Sequence, residues 1–332
     1  MTVTDQPAVR ASAVAPPRPA RATAMEPAPI PPDRRVSPLR SRVAALRATV
    51  AGLDRRLADP HLPLALTLLL VLLGTSQSWY VAVPVVVLAV VGLIQPRATD
   101  RPMFWSALAA TLGAAAWAGR WQVDNHQFLI AYWCFALALA AASPAPASVR
   151  RVAARVLIAA VFVLAVVWKA TSPDFVDGSF MRYTLLTDVR FTEVATLIGG
   201  VGPNELAENR AMVEGLGRPD AVLGPVALHG SSRMDVLADA VTYWTLLIEG
   251  AVALAFALPW RRLARWRDAL LITFIVTTYA IAPVVGFGWV LVCLGLAQHE
   301  RDRRGIRLAY VAAFLLVQAF TAPWTSIAGL MP

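Results

Sequence analysis

The chain has 332 residues, of which 58% are hydrophobic and only 15% charged, and its mean hydropathy is +0.58. A soluble domain carries about 25% charged residues, so lipid is the expected solvent for most of this chain and a soluble enzyme is excluded. The formal charge of +9 does not point to nucleic acid, because the arginines cluster in short segments between apolar runs, as the positive-inside rule expects.

Residues 1–40 are rich in Pro, Ala and Arg and show no apolar period. They are expected to form a disordered cytoplasmic tail. No short apolar region with a cleavage site appears there, so the first apolar span is expected to direct insertion itself. In residues 41–57, Val43, Leu46, Val50, Leu53 and Leu57 alternate at spacings of three and four, with Arg42, Arg47, Arg55 and Arg56 largely elsewhere. That pattern predicts an amphipathic helix, either lying on the anionic interface or packed on the bundle.

Residues 58–332 read as the membrane domain. Candidate spans are 62–78, 79–95, 102–119, 126–143, 152–170, 240–259, 268–282, 284–298 and 308–325. Several approach the roughly 20 residues that a crossing needs. The fold class is therefore all-α, a polytopic transmembrane helical bundle of about eight or nine spans. The stretch 268–298 is interrupted at Pro283, Gly286 and Gly288, and it reads as a two-helix hairpin or a re-entrant segment.

With the N-terminus cytoplasmic, the inside segments hold Arg55, Arg56, Arg97, Arg101, Arg150, Arg151, Arg155 and the arginines of 261–267 and 301–307. The short outside loops hold only Arg120. The alternation closes only if 268–298 crosses twice. The loop 171–239 then lies outside the cytoplasm, with ten acids and five arginines, and short helices are expected in it. The bilayer is the expected partner, and a membrane partner subunit is the further candidate.

Three residues carry chemistry. Lys169 is the only lysine; the other basic residues are all arginines. A desolvated lysine is neutral near pH 7 and serves as a general base, which arginine cannot do. The bland alternative is a snorkelling anchor at a span end. His126 opens the fourth span at the same expected depth as Lys169. Glu249 is the acid well inside a span, where a carboxylate marks a functional group or a buried partner. Cys134 and Cys293 lie in apolar spans and read as small buried hydrophobes. Asp174 and Asp177 stand beside Pro173 and Gly178 and read as turn and cap residues. No zinc motif, phosphate-cradling loop, nucleophile elbow or haem motif occurs, and no metal is expected.

Two blocks resemble a known family. They are Lys169-Ala170-Thr171-Ser172-Pro173-Asp174-Phe175-Val176-Asp177-Gly178-Ser179-Phe180-Met181-Arg182-Tyr183 and Asp124-Asn125-His126-Gln127-Phe128-Leu129-Ile130-Ala131-Tyr132. They are similar to blocks of the horizontally transferred transmembrane (HTTM) domain, the membrane part of vitamin K-dependent gamma-carboxylases. In that family a lysine ends a span, and an Asn-His pair opens an earlier one.

The resemblance implies a quinol-driven reaction with a lipid quinol of the menaquinone or vitamin K type. Lys169 would be the base and His126 a hydrogen-bonding partner near the quinone, with Trp168, Asn125 and Glu249 as further quinol-binding residues. The chain departs from the family in two respects. After its expected last span, 308–325, it runs only to Pro332, so a large lumenal domain for a peptide is not expected. A single lysine after Trp168 also stands where the family can have a doublet. The alternative function is a non-catalytic membrane subunit or a small-molecule or lipid carrier on the same scaffold.

Overall fold

The computed structural model describes Gly52, Leu57 and residues 59–74, 79–121, 124–216, 227–282, 284–299 and 303–320. The expected tail 1–40 lies outside them, and so does the amphipathic helix 41–57 apart from Gly52 and Leu57. Among the described residues every regular element is helical.

The chain opens with α1 (Leu62–Leu73), α2 (Trp79–Ile94) and α3 (Pro102–Ala118), followed by α4 (Asn125–Ala142) and α5 (Pro146–Thr171). Four short helices come next: α6 (Pro173–Val176), α7 (Ser179–Thr187), α8 (Thr192–Leu197) and α9 (Pro203–Leu216). Then follow α10 (Ser232–Ala257), α11 (Arg261–Ala264), α12 (Arg267–Ile281), α13 (Val285–Ala297) and α14 (Arg304–Phe320).

Three helices, α4, α5 and α10, are long and apolar enough to cross a membrane, while α1, α2 and most of α13 are shorter apolar helices. On α5, Val152, Val156, Val163 and Val167 are all exposed. Their spacing of four, seven and four places them on one stripe. A stripe of this kind is unfavourable in water and favourable against lipid tails.

Two spans begin earlier than their hydropathy suggests. Helix α5 starts at Pro146, with proline in its first turn, where a missing N–H costs nothing. The basic turn Arg150–Arg151 therefore belongs to the helix. Helix α10 starts at Ser232, because the Ser231 hydroxyl accepts from Met234 N at 3.1 Å and also donates to the Gly199 carbonyl. The segment expected as a loop to 239 thus ends at 231. Ser231→Ala is expected to cost about 1–2 kcal/mol, the range of a lost cap, read as a lower Tm in detergent.

The stretch 268–298 folds as two antiparallel helices. Helix α12 ends at Ile281 and α13 begins at Val285; Pro283 lies outside the described residues. The two far ends meet again, since His299 Nε2 lies 2.6 Å and Gln298 Nε2 3.1 Å from Asp268 Oδ1. Tyr310 of α14 donates to the same oxygen at 2.9 Å. This is a hairpin, not one kinked helix.

Buried apolar residues form two cores. The larger lies within the long helices and includes Trp105, Trp133, Phe162, Phe274 and the part of α13 from Trp289 to Ala297. Trp133 Nε1 donates to Thr67 Oγ1 at 2.9 Å, which satisfies both polar groups inside it. The smaller core joins α6–α9 to the first half of α10, around Phe175, Leu185, Phe191, Leu206 and Met234. The expected short helices of the 171–239 segment are these. Leu246 and Ile281 pack on the smaller core, whereas Ile248 and Tyr279 belong to the larger one. The seam between the cores therefore crosses α10 and α12 near Glu249.

Candidate functional site

Lys169 stands on the last turn of α5, and Glu249 lies eight residues before the end of α10. The two helices pack extensively against each other. Lys169 Nζ lies 2.5 Å from Glu249 Oε1, and the side chains are only 17% and 7% exposed. The ammonium side also lies 5.3 Å from the Phe175 ring centroid, and that ring is buried. A cation over an aromatic face gains electrostatic attraction.

The segment after Lys169 brings Phe175 into place. Ser172 and Pro173 turn the chain into α6, and Gly178 adopts a left-handed φ of 81°, open to glycine at little cost. A Cβ there would lie 2.7 Å from Asp239 Oδ1 on α10, so the glycine also permits close approach. Asp177 Oδ1 accepts Ser179 N at 2.9 Å, which is the cap role its neighbours suggest. The Ser179 hydrogen bonds hold the Asp177 carboxyl below its usual range.

Removing two charges from water costs several kcal/mol per ion, and the pair offsets this only when every lone pair is satisfied. Here it is not: Glu249 Oε2 is buried with no hydrogen-bond partner, and so are Tyr279 Oη and Thr242 Oγ1 nearby in the bundle. Tyr279 lies within Coulombic reach of Glu249. Transfer of one proton from Lys169 to Glu249 would leave a neutral amine beside a neutral acid with the same net charge.

His126 is placed differently. It sits in the first turn of α4, 20% exposed, with Nδ1 3.9 Å from Asp124 Oδ2. A Cβ on Gly286 of α13 would collide with the His126 ring, 2.6 Å from its Cδ2. A cavity of about 60 Å³ opens here, lined by His126, Gln127, Gly286 and Trp289 with apolar residues of α1–α4. Trp289 Nε1 is buried without a partner. The cavity wall is thus mostly apolar, with the His126 imidazole and Gln127 as its polar members.

The expectation that Lys169 and His126 share one pocket meets a partition. Neither Lys169 nor Glu249 lines the His126 cavity. Gly288, two residues beyond Gly286, faces Tyr279 instead, since a Cβ there would lie 2.8 Å from the ring. Two residues turn a helix by about 200°, so the first turn of α13 separates His126 from Tyr279. Trp168 is exposed and packs edge-on against Phe180 at 6.4 Å. Asn125 is exposed at the first position of α4.

Tyr279, Trp289, Gly286 and Gly288 carry the site without standing out as reactive residues in the sequence. The two glycines were visible as interruptions of the apolar stretch, but not as contacts of His126 and Tyr279. Cys134 and Cys293 are free and buried. Among the described residues no three His, Cys, Asp or Glu side chains gather as a metal site.

No family model, no curated protein and no solved structure matches the chain. The site is accordingly read from its own geometry.

Proposed function

We propose that the chain is an HTTM-like integral membrane protein that removes a proton from a lipid quinol, with the Lys169–Glu249 pair as the proton acceptor. The observation that carries this reading is a buried Lys–Glu pair whose second carboxylate oxygen has no partner. Glu249 takes the proton of Lys169, and the freed amine takes one from the quinol hydroxyl. Catalysis of this kind needs a base near neutrality in a dry site.

At about 60 Å³ the His126 cavity is far smaller than a ligand pocket, so it takes the head of such a quinol only if the helices around it move apart. Its walls are mostly apolar, and His126 can donate or accept. Movement of the first turn of α13, which presents only glycine at 286 and 288, would join this cavity to the Tyr279 side. The proposal includes that movement.

In this reading the helices form about eight or nine crossings, since short helices of 12–17 residues cross where the bilayer thins or neighbours cover their ends. The arginine-bearing end is cytoplasmic, and the α6–α9 cap is outside. Contacts support one common basic end: Arg155 Nη2 donates to the Gln298 carbonyl at 3.4 Å, and Arg307 Nη2 to the Asp59 carbonyl at 2.7 Å. Lys169, His126 and the α12–α13 turn share the other end.

The test is turnover by the full chain purified in detergent. Reduced menaquinone and O₂ are expected to give the epoxide and water, one quinol per O₂. Absence of epoxide from folded, lipid-containing protein overturns the catalytic reading. It favours the second reading, a subunit or lipid carrier, for which the Lys169–Glu249 ion pair is a structural tie between α5 and α10.

A further inference from the structure

We propose that the α7–α9 cap holds a second site, which binds the zwitterionic head of a free amino acid between Arg210 and Glu214. The cavity has a volume of about 430 Å³ and lies between α7 and α9, with Tyr183, Asp188, Val189, Arg210, Val213 and Glu214 in its wall.

Arg210 and Glu214 are four residues apart on α9, the spacing at which opposite charges on a helix ordinarily pair. They form no ion pair with each other, and among the described residues neither pairs with any other charge within 4.0 Å. Arg210 is held aside: its Nη2 donates to Thr192 Oγ1 at 2.9 Å, a neutral acceptor. Its Nε is buried with no partner.

The other nearby carboxylate is already occupied. Arg190 Nε reaches both oxygens of Asp188 at 3.0 and 2.9 Å, and its Nη2 reaches Oδ2 at 2.5 Å. Burial pushes the Asp188 carboxyl up, but the Arg190 hydrogen bonds and the charges of Arg190 and Arg210 outweigh it and hold the group below its usual range. Asp188 therefore remains a carboxylate bound to Arg190.

Arg210, which feels the Asp188 carboxylate but forms no ion pair with it, and the exposed Glu214 thus border the same cavity, with Val189 and Val213 beside them. A molecule with a carboxylate and an ammonium on adjacent atoms satisfies both charges at once. A simple anion would meet Glu214, and a simple cation would meet Arg210. Charge-assisted hydrogen bonds at both ends supply the affinity, and the valines give the side chain an apolar surface.

The experiment is calorimetric titration of the full chain in detergent with glycine, L-leucine and L-glutamate. Saturable binding of at least one is expected. For leucine binding, 4-methylpentanoate (no ammonium) and isoamylamine (no carboxylate) are expected to bind roughly tenfold or more weakly, the scale of one lost charged hydrogen bond. Glu214→Gln, at an exposed position that folding tolerates, is expected to weaken binding by a similar factor, and Arg210→Gln to abolish it. No saturable binding of any of the three overturns the site. Equal binding of leucine and 4-methylpentanoate, or binding untouched by Glu214→Gln, overturns the zwitterion assignment. None of these readouts depends on quinol turnover.

Discussion

Lys169→Met lowers stability by about 3–5 kcal/mol, because it strands the Glu249 carboxylate in a buried, already under-bonded position. In a domain of this size about 1 kcal/mol corresponds to roughly 2–4 °C of Tm, so the drop is large. Glu249→Met alone strands the ammonium and is also destabilising. The double change, Lys169→Met with Glu249→Met, recovers most of the loss, since a packed apolar pair of similar volume replaces a buried ion pair at little cost. The cycle measures the coupling directly. Additive losses in the double variant would mean that the two side chains do not share a site.

Gly295→Ala is the second large effect, and its sign is the informative part. By helix propensity alone, alanine is better than glycine by about 1 kcal/mol. On α13 the added methyl would lie 2.5 Å from Cζ and 2.9 Å from Cδ1 of Tyr310. That ring is wholly buried, and its hydroxyl is bonded to Asp268, so it has nowhere to retreat. Overpacking of this kind costs about 1–3 kcal/mol, and displacing Tyr310 also loosens the Asp268–His299 closure of the hairpin. A lower Tm is expected. A raised Tm would show that α13 is not packed on Tyr310.

The helical class, the hairpin at 268–298 and the short helices after Lys169 were all legible, because apolar runs, Pro–Gly breaks and Arg clusters report where a chain crosses or turns. His126 stands in the first turn of its helix and Lys169 in the last turn of its own. Azimuth was not legible. Lys169 faces Glu249, and His126 faces Gly286, because the rotation of each helix about its axis follows from packing against its neighbours. The sequence carries that information only where one face is polar.

Helix α13 shows the limit. It is buried from Trp289 to Ala297, so Val290, Leu291, Val292 and Leu294 have no periodic alternation to mark a face. Nothing in the run Val285–Ala297 announced that Gly286, Gly288 and Gly295 each receive an aromatic ring from a different helix. Tyr279 was equally silent, since an isolated tyrosine in an apolar span more often packs than reacts. The start of α10 was missed because Ser231, its cap, stands in a polar segment far from the hydropathy peak.

The account rests on a lysine that gives up and takes a proton, and Lys169→Arg isolates that property. Arginine keeps a cation opposite Glu249 but cannot become neutral near pH 7. The measurement is epoxide formation from reduced menaquinone by the purified variant, beside its Tm. A folded variant with near-normal Tm and no epoxide, where the wild type forms it, is the predicted result. Epoxide formation at the wild-type rate by Lys169→Arg would contradict the account, leaving Lys169 a structural cation and the base elsewhere.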